Sequence, residues 1–247
     1  MVSKTVSKRK RRRSRKKKRV LQFEYLRRSN EDIHEAVNEW CENPKEAIKK
    51  YGHISNWITT NVTNMTGLFR DKQQFNDNIG NWDVSNVTNM SCMFSFASSF
   101  NKDIGNWDVS NVTNMSCMFS FASSFNKHIG NWDVSNVETM VLMFRNSYSF
   151  NHYIGLWKVD KVKSFNNMFF RVRSFNQDLR NWKISKTACT MNMFDGAEKM
   201  NIVNKPECNN DYSILHEPNF TCDIVDDVVD TRGPMYYSRV NGFNFWN

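Results

Sequence analysis

The chain has 247 residues, 40% of them apolar and 14% aromatic, with 34 Lys and Arg against 25 Asp and Glu. This length bounds it to one or two domains, and the apolar share can fill a buried core, which excludes wholesale disorder. Nine glycines and four prolines exclude a collagen-like chain, and no run approaches the ~18 consecutive apolar residues of a membrane-spanning helix.

The charge is segregated. Residues 1–28 hold fourteen basic residues and a single acid, Glu24, for a net of +13, while the rest of the chain sums to −4. Eleven of the twelve residues at 8–19 are cationic: Lys8, Arg9, Lys10, Arg11, Arg12, Arg13, Arg15, Lys16, Lys17, Lys18 and Arg19. Mutual repulsion, with nothing apolar to offset ordering entropy, predicts a disordered basic tail over 1–28. Such a run contacts nucleic acid or another polyanion without reading sequence, acts as a nuclear-localisation signal, or holds to an anionic membrane face. The first two readings rank above the third. The apolar stretch at 20–26 is too short for a secretory signal and is interrupted by Gln22 and Glu24. The expectation is an intracellular protein, with the nucleus among its destinations and its six cysteines as free thiols.

Residues 29–52 read as a helical N-terminal cap. Ile33, Ala36, Val37 and Trp40 fall at i, i+3, i+4 and i+7, predicting a helix that ends near Glu42. Asn43-Pro44 restarts a second short helix, which Gly52 closes.

The repeat is the dominant signal. Tryptophans stand at Trp57, Trp82, Trp107, Trp132, Trp157 and Trp182, each 25 residues after the last. Phe75, Phe100, Phe125, Phe150 and Phe175 keep the same step, and each is followed by Asn. A second series runs Phe69, Phe94, Phe119, Phe144, Phe169 and Phe194. Such a fixed period marks a solenoid in which each repeat is one coil. The predicted fold class is an α/β, leucine-rich-repeat-like solenoid spanning 53–200, with about six coils. Within a coil, Val87, Met90, Phe94 and Ala97 predict a short helix, with Ser85 as its N-cap. Residues near Ile79 predict a short strand that pairs in parallel with Ile104 of the next coil. Gly80, Gly105, Gly130 and Gly155 mark a sharp turn or a close approach. The Asn columns are expected to link coils through their side-chain amides.

The wording of the coil, with IGNWDVSNVTNMS at its centre, resembles the BspA-like leucine-rich-repeat surface proteins, specifically the branch with 25-residue WDVSNVTNM-type repeats. The resemblance covers roughly residues 51–197. It implies a right-handed parallel solenoid and a role in adhesion or protein binding without catalysis. Bacterial members are exported and anchored, whereas this sequence shows no export signal, lipobox or wall anchor. The last two coils drift from the pattern: Asp160-Lys161-Val162-Lys163 replaces SNVT, and Arg180 replaces Gly. After Ala197 the period ends, and residues 201–247 read as a C-terminal cap or tail, with a hairpin around Asn241-Gly242.

No feature points to an enzyme. The five histidines have no metal-ligand spacing with cysteine, and nucleophile, Walker and dinucleotide motifs are missing, so no cofactor or metal is expected. Asp83, Asp108 and Asp133 share a column whose commoner use is to bond local N–H groups at a turn. Cys92 and Cys117 share a phase and are expected to be two packed thiols. Six of seven N-x-S/T sequons, including those at Asn86 and Asn111, belong to the repeat phrase and report structure before glycosylation.

Binding is indicated at two columns whose chemistry varies while the frame around them does not. One reads Asp77, Lys102, Lys127, His152 and Gln177; its neighbour reads Asn78, Asp103, His128, Tyr153 and Asp178. A ladder of coils would present them as a grid to another protein, whose identity the sequence does not name. Residues 156–190 add a net +6, a basic end suited to an acidic protein or a polyanion. The reading is a non-catalytic protein-binding scaffold. Its rival is a polyanion- or nucleic-acid-associated protein that acts through the basic arm.

Overall fold

Two helices and a strand precede the repeats. The computed structural model describes residues 26–208, so the basic run at 8–19 and the hairpin expected at Asn241-Gly242 lie outside the described residues. Strand β1 (Arg27–Ser29) leads into helix α1 (Ile33–Glu42), whose Ile33, Ala36, Val37 and Trp40 are buried on one face. The Asp32 carboxylate fastens β1 to this helix, accepting from Ser29 N–H at 2.8 Å and from the Arg28 guanidinium at 2.7 Å. Pro44 opens helix α2 (Pro44–Tyr51), where a missing N–H costs nothing, and Gly52 ends it at φ 72°. Strand β2 (Ile58–Asn61) then pairs with β1 in parallel, Arg27 opposite Ile58.

From Met65 onward, each repeat is bonded to the next. Met90, Cys92, Phe94 and Phe96 donate their N–H groups to the carbonyls of Asn114, Ser116, Met118 and Ser120 at 2.8–3.0 Å. The same four phases do so at every junction from 65–71 through 165–171. Between them, Met93, Ser95 and Ala97 donate three residues back, to Met90, Cys92 and Phe94. The segment is therefore a run of tight turns with alternate amides aimed at the next repeat.

Two expectations are corrected here. The helix predicted from Val87 to Ala97, with Ser85 as its cap, does not form. Its i→i−4 bonds are replaced by bonds into the next repeat, and two phases per repeat adopt left-handed φ. One phase holds Gly67, Cys92, Cys117, Leu142, Asn167 and Asn192; the other holds Asp71, Phe96, Phe121, Asn146, Arg171 and Gly196. Gly, Asn and Asp, which tolerate that region, fill half of these places. The strand predicted near Ile79 does not form either. The Ile79 carbonyl accepts from Trp82 N–H three residues on, closing a turn, and parallel bridges occur instead at Asn64, Asn89, Asn114, Thr139, Ser164 and Cys189.

Aromatic columns fill the interior. Consecutive rings of the Phe69 series lie 5.3–5.7 Å apart, and those of the Phe75 series 5.8–6.1 Å. The two series also stack within a repeat, Phe94 on Phe100 at 4.0 Å. Each buried ring contributes on the order of 2–3 kcal/mol before entropy. Asparagine ties the frame: Asn101, Asn126, Asn151, Asn176 and Asn201 each donate their backbone N–H to the side-chain oxygen of the Asn 25 residues earlier, at 2.9–3.1 Å. The Asn columns thus do link repeats through their side-chain amides, each amide oxygen taking a backbone N–H of the next repeat.

The first repeat has its own closure. Asn30 Oδ1 accepts from Thr63 N–H at 3.0 Å and Asn64 N–H at 3.2 Å, and Thr63 is the phase at which Thr88 N–H reaches back to the repeat before it. One side chain replaces a missing repeat.

Candidate functional site

The two variable columns are held between fixed neighbours. On one side stands the Asn ladder at Asn76, Asn101, Asn126, Asn151 and Asn176, and on the other the buried Ile79, Ile104, Ile129, Ile154 and Leu179. Pinned at both ends, the intervening residues keep a regular spacing along the stack.

The inner column is largely spent on structure. Asp77 accepts from the Trp40 indole at 2.8 Å, which ties α1 to the repeats. His152 Nε2 lies 3.2 Å from the Asn126 carbonyl, and Gln177 Nε2 donates to Asn151 O at 3.0 Å and to its Oδ1 at 2.9 Å. Lys102 and Lys127 are half-buried. The expectation of a wholly solvent-facing inner column is corrected accordingly.

The outer column divides. Asn78 and Asp103 turn their oxygens inward to Gly80 and Gly105 N–H, at 3.0 and 2.9 Å. Asp178 accepts from Arg180 N–H and from two guanidinium nitrogens at 2.9 and 2.7 Å; these bonds hold its carboxyl down at about 2. His128 and Tyr153 instead lay their rings over the following glycine. A Cβ on Gly130 would lie 3.1 Å from the His128 ring, and one on Gly155 would lie 2.6 Å from the Tyr153 ring. His128 also meets His152 edge-on at 6.0 Å. In the same repeat as Tyr153, Leu156 stands where Asn81, Asn106 and Asn131 occur, and it is 71% exposed. Sequence reasoning overlooked Leu156; the signal was an aliphatic residue breaking an asparagine column.

The basic end is partly neutralised. Lys163 pairs with Glu138 at 2.6 Å and Arg173 with Glu198 at 3.2 Å, while Lys161 donates to Asn136 Oδ1 at 2.7 Å. Arg171 and Arg173 lie over the Phe170 and Tyr148 rings. Lys158, Lys183 and Lys186 are exposed.

The remaining polar columns serve the turns. Asp83, Asp108 and Asp133 each accept from the N–H two residues on, at 3.1 Å. The Cys92 and Cys117 thiols are free, and the neighbouring Cys92 thiol pushes Cys117 up, burial adding to the effect. The sequon nitrogens are engaged, Asn86 Nδ2 with Thr60 O at 2.9 Å and Asn111 Nδ2 with Ser85 O at 2.7 Å. Among the described residues no helix is long and apolar enough to cross a membrane.

Residues 31–152 and 127–209 match the sequence profile of DUF285, described as a Mycoplasma protein of unknown function. The chain belongs to the DUF285 family. No curated protein and no solved structure matches it. In this DUF285 protein the first matched span takes in α1, and the two overlapping spans together take in every repeat.

Proposed function

We propose that this DUF285 protein is a leucine-rich-repeat-like solenoid of the BspA-like kind, a non-catalytic scaffold that binds another protein. The solenoid reading is supported by the same four backbone bonds recurring at five successive junctions. One observation carries the binding reading: Tyr153 and Leu156, 38% and 71% exposed, interrupt a face that is polar in neighbouring repeats. An aromatic ring seated on a glycine backbone is a rigid anchor, and such anchors dominate protein interfaces. The two repeats before it carry Lys102, Asp103, Lys127 and His128 in the same two columns, polar groups that set partner choice. Capture of a partner by the immobilised full chain, compared with Tyr153→Ala and Leu156→Asn, tests this. Leu156→Asn restores the residue of the neighbouring repeats, so it leaves the fold intact. The expected loss is about tenfold or more in affinity for each variant; undiminished capture by both would overturn the reading.

A second reading is favoured by the +13 charge of residues 1–28: contact with nucleic acid or another polyanion through Lys8, Arg9, Lys10 and the cations up to Arg19. Its mark is a steep loss of duplex binding as salt rises, abolished when residues 1–28 are deleted. The cytosol or nucleus is the compartment that suits both readings.

A further inference from the structure

The last repeat ends the stack differently from the first. In each repeat four peptide units share one orientation, carbonyl toward the preceding repeat and N–H toward the next. Gly67 donates to Ser91 O, Cys92 to Ser116 O, Cys117 to Val141 O, Leu142 to Asn166 O and Asn167 to Met191 O, at 2.8–2.9 Å. The columns starting at Met65, Phe69 and Asp71 run in parallel with this one. Peptide dipoles aligned in series add, and hydrogen bonds in chains polarise one another. Their positive ends emerge at the C-terminal edge. There Asn192, Phe194 and Gly196, the successors of donors that bond at every earlier junction, meet no acceptor among the described residues.

The side chains around this row make it more than an open end. Met191 is 49% exposed beside it, Phe194 is half-buried with its inner face stacked on Phe169 at 5.3 Å, and Ile202 and Val203 are 78% and 62% exposed. Lys183, Lys186 and Lys199 are exposed nearby in sequence and outnumber the exposed Asp195, while Glu198 is paired with Arg173 at 3.2 Å. At the opposite end the apolar side chains are covered: Leu68 and Phe69 are buried although no repeat precedes them, so a second copy would find no apolar face there for Phe194 and Met191.

We propose that the edge formed by Asn192, Phe194 and Gly196 docks an extended acidic segment of a partner protein. The segment's carbonyl and carboxylate oxygens would take the three amides as a further repeat does at the internal junctions, and its apolar side chains would lie on Phe194 and Met191. Charge complementarity selects acidic over basic segments, because both the peptide dipoles and the lysines favour a negative occupant. This face is separate from that of Tyr153, so either can fail alone.

The test is amide hydrogen exchange on the full chain with a synthetic peptide alternating Glu and Val. The peptide should slow exchange at Asn192, Phe194 and Gly196 by about tenfold or more, whereas a Lys–Val peptide should not. Met191→Glu should weaken the acidic peptide about threefold to tenfold, and Met191→Lys, which shares any folding cost, should not. The proposal is overturned by unchanged exchange at saturating peptide, or by amides already slow in the free chain at low concentration. Protection that grows with the protein's own concentration would show a second copy there, and protection by a duplex oligonucleotide alone would show a nucleic-acid site; either overturns it. Protection confined to residues around Tyr153 would sink this edge while leaving the scaffold reading in place.

Discussion

Trp132 reaches back 28 residues, its indole Nε1 donating to the Ile104 carbonyl at 3.1 Å. Trp82, Trp107, Trp157 and Trp182 make the same bond to Ile54, Ile79, Ile129 and Ile154. The ring fills the interior while its polar atom joins one repeat to the previous one, a pair of roles phenylalanine cannot combine.

Trp132→Phe therefore removes a buried hydrogen bond together with part of a ring. A destabilisation of about 2–3 kcal/mol is expected in urea unfolding. A change under about 0.5 kcal/mol would show that the indole bond contributes nothing net.

Asn126 both donates to Asn101 and accepts from Asn151. Asn126→Ala leaves the Asn151 amide without its acceptor, at about 1–2 kcal/mol. Asn126→Asp keeps an acceptor oxygen and should cost less than half as much. Equal costs for the two would assign the effect to packing.

Gly105 lies where a Cβ would come 2.5 Å from the His128 carbonyl oxygen of the next repeat. Backbone on both sides leaves no flexible group to yield. Gly105→Ala is expected to cost about 1–3 kcal/mol by thermal or chemical unfolding; a neutral result would mean that the repeats slide apart at little cost.

Arg171 is exposed and held at φ 57°. Arg171→Gly relieves that conformation, whereas an ordinary exposed arginine would lose stability on the same change. Stability should hold or rise by about 0.5–1 kcal/mol. A clear loss would assign the position to the contact of its guanidinium with Phe170.

The Asp178 carboxyl is held down at about 2 by the Arg180 guanidinium and N–H. Its folded value lies below its unfolded one of about 4, so the interaction stabilises above that pH and is lost as pH falls through about 2. A carboxyl NMR titration should place the midpoint near 2 in the native chain. Arg180→Ala should move it upward; a midpoint that stays put would assign the shift to the backbone.

The variable columns were readable as surface because the frame beside them is constant. Which of their members are free was not. Asp77 is taken by Trp40, 37 residues away in sequence, and His152 and Gln177 by the preceding repeat. The chance to rest a ring on a glycine depends on Gly130 and Gly155 lying under His128 and Tyr153, which no local pattern encodes.

The amino-acid order alone settled which side chains go inside, since Phe, Trp and Ile at one phase must share one environment, and the columns of Phe94, Trp107 and Ile104 are indeed buried. It could not settle the backbone between them. Apolar residues at i, i+3 and i+7 suit a helix and a run of turns equally, because both bring those positions to one face. The choice is made by where the amides find acceptors: for Met90 it is Asn114 of the next repeat, at 3.0 Å. Such partners exist only once the repeats have stacked, and for that reason tertiary structure overrode the local helical pattern and left one row of donors, at Asn192, Phe194 and Gly196, without an acceptor among the described residues.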